Sequence, residues 1–217
     1  MYVEQPLKKY LDDLADKKAV PGGGSASALV SAIGSALISM VCNFTIGKQE
    51  YKDNEEEVKK ILSDNELIRF RLTELIDLDI SAYEKVSHVR KMIKEDSKEK
   101  DKYRDKLQEV LREAIAVPLE VCQLSVRALK LCINLLDMAN INLISDLSVS
   151  ANLLKAGFQS AMANININLN SLKDDNYIVE IRKIMEPLIK DNETIPDLIQ
   201  ERIKEKMSDK YGDRNNG

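Results

Sequence analysis

The chain has very little of the side chains that most metalloenzymes and triad hydrolases use. Its 217 residues include one histidine, His88, and no tryptophan. One imidazole cannot supply a multi-histidine metal site, and no glutamate stands three residues before it, as the Glu-x-x-His pairs of di-iron helical proteins require. We therefore expect no metal and no resident cofactor. Any acid–base chemistry must then come from carboxylates.

Glycine and proline are also scarce, with eight and five residues, whereas good helix formers are abundant. This composition predicts an all-α fold. The expected architecture is a helical bundle of long helices around a buried, small-residue central helix. A chain of this length fits one domain, which we place at residues 1–208, followed by a disordered tail over residues 209–217.

No basic field is present, because the net charge is −4 and both signs are interspersed. Such a surface argues against nucleic-acid binding, which needs clustered lysine and arginine. Cys42, Cys122 and Cys132 lie in apolar stretches without CxxC spacing, so we expect buried free thiols in a reducing compartment. The first residues also show neither a basic nor an apolar signal region, and we expect a cytoplasmic protein.

Three of the eight glycines stand together in the segment Pro21-Gly22-Gly23-Gly24-Ser25. Glycine lets another group approach the backbone closely, and Ser25 is a favourable N-cap residue, so the segment predicts a tight loop at the start of a helix. The first N–H groups and the dipole of such a helix favour an anion or a carbonyl oxygen. A purely structural turn is the alternative, because the loop lacks P-loop and GxGxxG spacing.

The segment that follows is uncharged from Pro21 to Gly47, a length that on its own is sufficient to cross a membrane. Small polar residues recur there at every fourth position, namely Ser27, Ser31, Ser35, Ser39 and Asn43. They weaken bilayer insertion and let neighbouring helices pack closely. We therefore predict a buried core helix and no membrane partner.

Apolar residues at three- and four-residue steps predict further helices. They are expected over residues 7–18, 54–95, 105–138, 140–172, 177–189 and 195–207. Pro118 should kink or divide the third of these. Residues 164–170 alternate between asparagine and apolar residues, which is a strand signal, but we favour a helix because no other segment offers a strand to pair with.

Two aspartates stand where the helical pattern predicts apolar side chains. Asp79 lies on the apolar stripe of the helix over residues 54–95, and Asp146 lies in an apolar run one turn after Asn142. A buried carboxylate must be paired, or its pKa rises and it becomes suited to proton transfer. Both are candidates for catalysis, with a helix cap or an ion pair as the alternative.

Four motifs, which together cover about residues 1–190, give the chain a resemblance to the cyclodeaminase/cyclohydrolase family of folate one-carbon enzymes. This family also forms the C-terminal half of formiminotransferase-cyclodeaminase. The motifs are Pro21-Gly22-Gly23-Gly24-Ser25 with Met40 and Lys48, Asp79-Ile80-Ser81-Ala82-Tyr83 with Val86, Ala116-Val117-Pro118-Leu119, and Asn140-Ile141-Asn142-Leu143-Ile144-Ser145-Asp146 with Asn164 and Asn168. The chain departs from the family in having Ala139-Asn140 where Gly-Asn is common, and it lacks a Leu-Pro-Lys segment after the Asp79 helix.

The resemblance implies an all-α homodimer that binds a tetrahydrofolate one-carbon derivative near the subunit contact. It assigns catalysis to Asp79. Substrate binding is expected from the glycine loop (Gly22, Gly23, Gly24 and Ser25) with Asn142 and Asp146 around the pteridine, and from Lys48 at the glutamate tail. The implied reaction is closure of 5-formiminotetrahydrofolate to 5,10-methenyltetrahydrofolate with loss of ammonia. Hydrolysis of the methenyl compound by a cyclohydrolase is the alternative, and a non-catalytic helical assembly module is a further one.

Overall fold

The computed structural model describes residues 1–95 and 99–212. Within these ranges the chain forms six α-helices and no strand: α1 Leu7–Ala15, α2 Gly23–Thr45, α3 Glu55–Glu95, α4 Lys100–Leu135, α5 Ile144–Leu169 and α6 Asp175–Gly212. Short 3-10 helices precede α1, α3 and α5, at Tyr2–Glu4, Gln49–Asn54 and Ile141–Leu143. The prediction of an all-α bundle of long helices is confirmed.

The central element of the bundle is α2, which packs between α3 and α5 and also touches α4. Its serines are buried, and Ser31, Ser35 and Ser39 are hydrogen-bonded to these neighbours. The Ser31 hydroxyl lies 2.9 Å from the Ser125 hydroxyl of α4, and Ser35 donates to Asn65 Oδ1 of α3 at 3.0 Å. By length and composition α2 is able to cross a membrane, yet 61% of its most apolar window is buried inside the bundle. The prediction of a buried, small-residue core helix is confirmed.

Glycines bring α2 and α5 into close contact. A β-carbon at Gly34 would lie 2.9 Å from Leu154 Cγ, and one at Gly157 would lie 2.0 Å from Ser31 Oγ. The Ser150 hydroxyl also donates to the Gly34 carbonyl at 2.7 Å. The two helices therefore approach so closely that side chains larger than hydrogen do not fit at these positions.

Buried apolar residues from all six helices form one connected core, which extends from Tyr10 in α1 to Ile203 in α6. The predicted free thiols lie in this core. Burial raises the pKa of Cys42, Cys122 and Cys132 to about 12. At such values the thiols stay protonated, so they act as small apolar side chains.

Prolines do not end helices in this bundle. Pro118 lies inside α4, and Pro187 and Pro196 lie inside α6. The prediction of two separate final helices is therefore wrong, and α4 is not divided. Each proline removes one backbone hydrogen bond, but burial of the apolar face of a long helix outweighs that loss.

The ends of several elements also differ from prediction, and α4 begins at Lys100, five residues before residue 105. The first helix stops at Ala15, three residues earlier than residue 18. At the other end of the chain α6 continues to Gly212, so residues 209–212 of the predicted tail are helical. The remainder of that tail, residues 213–217, lies outside the described residues.

Candidate active site

A cavity of about 290 Å³ opens where the N-terminal end of α2 faces α3 and α5. Its walls come from the glycine loop and three helices. They include Gly22, Gly23 and Gly24 at the start of α2, Asp79, Ala82, Tyr83, Val86 and Arg90 of α3, Ala114 of α4, and Asn164, Ile167 and Asn168 of α5. The cavity thus combines one carboxyl group, one guanidinium group, two amides and an apolar wall, which is the composition of a site for a polar heterocycle.

Asp79 is half-buried in this cavity. Burial raises the pKa of its carboxyl group to about 6, although interaction with the backbone N–H of Ser25 lowers it. A carboxyl group with this pKa exchanges a proton near neutral pH, as a general acid or base must. The sequence-based choice of Asp79 from its place on the apolar stripe therefore agrees with its physical environment.

The carboxyl group of Asp79 lies directly against the first turn of α2. A β-carbon at Gly24 would lie 2.0 Å from Asp79 Oδ1 and 2.5 Å from its Cγ. Only glycine leaves room for the carboxyl group at this place, where the N–H groups and the dipole of the helix favour its ionised form. The glycine loop therefore holds a protein carboxylate, in addition to lining the cavity.

Ser25 has a different place from the one expected. The N-cap of α2 is Gly22, and no side chain caps the helix, so the prediction of Ser25 as the N-cap is wrong. Ser25 lies in the first turn, fully buried, with its hydroxyl oxygen 3.1 Å from the hydroxyl of Tyr10 in α1. It therefore ties α1 to the helix end that faces Asp79.

Two asparagines of α5 form the opposite wall of the cavity. Asn164 donates from Nδ2 to the carbonyl of Ser160, and Asn168 donates from Nδ2 to the carbonyl of Ala114. These bonds orient both side chains and leave each amide oxygen as an acceptor for ligand N–H groups. Because residues four apart share a helix face, the predicted helix over this segment accounts for both amides reaching one cavity.

The other predicted binding residues lie at the far end of α2. With 23 residues the helix is about 34 Å long, and Lys48 follows its C-terminal end. The turn that carries Asn142 and leads to Asp146 is attached to the same end, because the Asn140 backbone N–H donates to Thr45 Oγ1 at 3.0 Å. Within one chain Lys48, Asn142 and Asp146 therefore do not join Asp79.

A second cavity, of about 940 Å³, lies between the N-terminal segment and α3. One of its carboxylates, Asp77, accepts hydrogen bonds from the backbone N–H groups of Tyr2 and Val3 at 2.7 and 3.3 Å. Asp77 therefore holds the N-terminal segment against α3. The buried carboxylate of this cavity, Asp13, is ion-paired with Lys9 and Lys18, and this pairing holds its pKa well below the usual range. Despite its greater volume, this cavity is therefore a weaker candidate for catalysis than the cavity at Asp79.

Sequence reasoning missed two residues at the candidate site. Arg90 lines the outer end of the cavity, and Tyr10 lies behind Ser25. A signal for Arg90 was present, since it stands on the same helix face as Asp79, Tyr83 and Val86. Nothing in the sequence pattern pointed to Tyr10 except its place on the apolar face of α1.

Metal-ligating residues do not cluster in the part of the chain that the structure describes: no group of three His, Cys, Asp or Glu side chains could hold an ion. His88 is exposed on α3. The expectation that no metal takes part in the chemistry remains a prediction.

Comparison with known proteins gives consistent matches over nearly the whole chain. A family model described as formiminotransferase-cyclodeaminase matches residues 6–187. A methenyltetrahydrofolate cyclohydrolase from Methylorubrum extorquens is 34% identical over 204 residues, which cover 94% of this chain and 98% of that protein. A solved structure of formiminotetrahydrofolate cyclodeaminase from Thermotoga maritima has a TM-score of 0.83 and 32% identity, and the match covers 93% of this chain and 98% of that one.

A longer relative matches only in part. The formimidoyltransferase-cyclodeaminase of Sus scrofa is 29% identical over 212 residues, which are 95% of this chain but 38% of the pig protein. The chain thus spans the full length of the two single-activity relatives and about two fifths of the bifunctional one. The named relatives are enzymes, and the predicted family resemblance is confirmed. The chain belongs to the formiminotransferase-cyclodeaminase family.

Proposed function

We propose that the chain is a formiminotetrahydrofolate cyclodeaminase, which closes 5-formiminotetrahydrofolate to 5,10-methenyltetrahydrofolate and releases ammonia. The observation that carries the proposal is Asp79, a half-buried carboxyl group with a pKa near 6 in a cavity lined by amides. The proposal is supported by the similarity of this chain, in sequence and fold, to the formiminotetrahydrofolate cyclodeaminase of Thermotoga maritima.

The reaction requires two proton transfers, one from N10 and one to the amino nitrogen that leaves as ammonia. The formimino group reacts in its protonated amidinium form: N10 attacks its carbon and loses a proton to the carboxylate, which gives a neutral tetrahedral carbon bonded to N5, N10 and an NH2 group. The amino nitrogen then gains a proton and leaves as ammonia, while the N–C bond order rises to give the methenyl bridge. A single carboxylate can take the first proton and deliver the second, because its pKa lies near the working pH.

The surroundings of Asp79 suit this role. The apolar wall formed by Ala82, Val86 and Ala114 limits access of water, and this keeps the carboxyl group easy to protonate. The opposing N–H of Ser25 keeps the ionised form accessible, so neither protonation state is lost. Asn164 and Asn168 would orient the pteridine through its N–H groups.

A second candidate function is hydrolysis of 5,10-methenyltetrahydrofolate to 10-formyltetrahydrofolate. The likeness to the Methylorubrum extorquens cyclohydrolase, over 98% of that protein, favours it. In this reaction Asp79 would accept a proton from the attacking water, and its negative charge would favour binding of the cationic methenyl compound. The same carboxyl group therefore serves both reactions.

Near-ultraviolet absorbance tests the proposal, because the methenyl compound has an absorption band of its own. Growth of that band from 5-formiminotetrahydrofolate, with release of ammonia, supports a cyclodeaminase. Absence of this growth, together with faster loss of added methenyltetrahydrofolate than in buffer, would replace it with the cyclohydrolase. Silence in both assays would favour the non-catalytic assembly module, which predicts no thermal shift with any reduced folate.

We also propose that the protein is a homodimer. Large apolar side chains on α2 and α3 are exposed in the single chain, with Ile33 44%, Phe44 56%, Leu67 70% and Phe70 63% accessible. A second copy that covers this face would remove them from water. Light scattering on a size-exclusion column should give about twice the chain mass of 24.5 kDa, and Phe70→Glu should give the single mass. A wild-type monomer at all concentrations would contradict the proposal.

A cytoplasmic location and the absence of a resident cofactor complete the proposal. The three free thiols fit a reducing compartment, in which disulfides do not form. The proposed chemistry needs only proton transfer, so it requires no cofactor.

A further inference from the structure

Arg90 lines the cavity, but the proposed proton transfers do not involve it. It lines the cavity together with Asp79, and these two are the charged members of that wall within the described chain. Neighbouring lysines of α3 are engaged elsewhere, Lys85 with Glu113 and Lys91 with Glu95. Arg90 takes part in neither pair. An arginine at the mouth of a cavity is suited to a ligand carboxylate, which it can bind through two parallel hydrogen bonds.

Spacing along α3 defines an axis through the cavity. Asp79, Tyr83, Val86 and Arg90 follow one another at steps of four, three and four residues, so they share one face of the helix. The eleven residues from Asp79 to Arg90 correspond to a rise of about 16 Å. Helical side chains lean toward the N-terminus of the helix, which directs the Arg90 side chain back along α3 toward the cavity that it lines.

The proposed substrate has the same linear order of chemical groups. Its reacting carbon bridges N5 and N10, an aromatic aminobenzoyl group follows, and the glutamate carboxylates come last. Standard bond lengths place the α-carboxylate roughly 9 Å from N10. With the reacting carbon at Asp79, this carboxylate reaches the region of the Arg90 guanidinium group.

The wall between the two charged groups suits an aromatic ring. Tyr83 of α3 and Ile167 of α5 are 46% and 65% exposed at the cavity, and Val86 lies beside them. A benzoyl ring placed there would cover apolar surface and contact the tyrosine ring. The volume of about 290 Å³ is small for a whole folate, so the tail must extend along the cavity mouth, where Arg90 lies.

We propose that Arg90 binds the glutamate carboxylate of the folate tail and so sets the preference of this enzyme for glutamylated over unglutamylated pterins. The inference rests on the proposed folate function. It differs from the role that the sequence suggested for Lys48, which lies beyond the far end of α2.

The test compares two substrates in the wild type and in Arg90→Gln. One is 5-formimino- or 5,10-methenyltetrahydrofolate, whichever the wild type converts, and the other is the matching tetrahydropteroate, which lacks glutamate. Loss of one charge-assisted pair at a partly exposed site should lower the ratio of kcat/KM values, folate over pteroate, about tenfold through KM. Arg90→Lys should recover part of the ratio, because the charge remains.

Two controls separate the possible readings. Lys91→Gln removes the neighbouring cation outside the cavity and should leave the ratio within about twofold of the wild type. Lys48→Gln tests the rival residue. A fall in the ratio for Lys48→Gln but not for Arg90→Gln would overturn the proposal, as would an equal ratio in all variants.

Inhibition by substrate fragments gives a second readout. Aminobenzoylglutamate should inhibit the wild type more strongly than aminobenzoate, and this difference should shrink in Arg90→Gln and with added salt, because exposed charge pairs are screened. Equal inhibition of an active wild type by the two fragments would contradict the Arg90 proposal and leave the proposed function in place. A wild type that converts neither substrate would sink the proposed function itself.

Discussion

Each end of α2 meets a family motif, but the two ends differ in the surroundings of their carboxyl groups. At the N-terminal end, Gly24 leaves room for the carboxyl group of Asp79, and burial raises its pKa to about 6. At the C-terminal end, Lys48 is exposed, and Asp146 is half-buried in the first turn of α5, which follows the segment that Asn140 attaches to Thr45. The comparison teaches that the space and the dielectric around Asp79 set the pKa of its carboxyl group, a property that the presence of aspartate in a motif does not provide by itself.

Asp79→Asn should have the largest effect on turnover. Removal of the proton-transfer group should lower kcat about 10³-fold, measured by the methenyl absorbance band. Asp146→Asn at the other end should lose no more than about tenfold, because it does not reach the reacting carbon within one chain. Equal losses in the two variants would mean that both ends form one site, and full turnover by a folded Asp79→Asn protein would remove Asp79 from the mechanism.

Gly24→Ala should also damage turnover severely. The added methyl group would lie 2.0 Å from Asp79 Oδ1, so the carboxyl group must move, and a misplacement of about 1 Å costs about 10²-fold in rate. Gly47→Ala is the matched change at the other end, where φ is +78° and nothing lies within 4 Å of the new methyl group. That variant should lose about 1 kcal/mol of stability and keep its kcat, since only backbone strain is introduced. Denaturation and turnover measured on both variants separate the two effects.

The pH profile should report the buried carboxyl group. Because the proposed base must be ionised, kcat/KM for methenyltetrahydrofolate hydrolysis should rise with pH through about 6. A limb near the ordinary aspartate value of 3.8 would show that the site is more hydrated than the structure indicates.

The difference in stability between Asp79→Asn and the wild type should change with pH. The direction of this change is opposite to the one expected when a salt-bridged aspartate is replaced. The folded-state pKa of Asp79 is raised, so the ionised group destabilises the fold above pH 6, by up to about 3 kcal/mol. This cost shrinks as the pH falls from 6 to the unfolded-state pKa of 3.8, below which both states are protonated. The asparagine variant should therefore unfold at a higher temperature than the wild type at pH 8, and the advantage should close near pH 4. A variant that is less stable at pH 8 would contradict the assignment.

Much of the fold was predictable because the signals were local. Small residues at every fourth position identified α2 as a core helix, and the apolar stripe of α3 placed Asp79 toward the interior. The single helix α6 was not predictable, since Pro187 and Pro196 usually end helices, and the packing that retains them is a tertiary property. The grouping of Lys48 and Asp146 with the glycine loop came from family motifs and not from a local signal. Within one chain the 23 residues of α2 separate them from that loop, and their role in binding stays a prediction.

The three buried thiols can report local opening of the helix bundle. Cys42 lies in α2, and Cys122 and Cys132 lie in α4, all fully enclosed and with thiol pKa values near 12. A disulfide reagent such as Ellman's compound can react with them only while these helices separate, so labelling rates count opening events. Since the chain has no tryptophan to follow by fluorescence, these sulfur atoms offer a native readout of how strongly a bound folate ties α2 to α4.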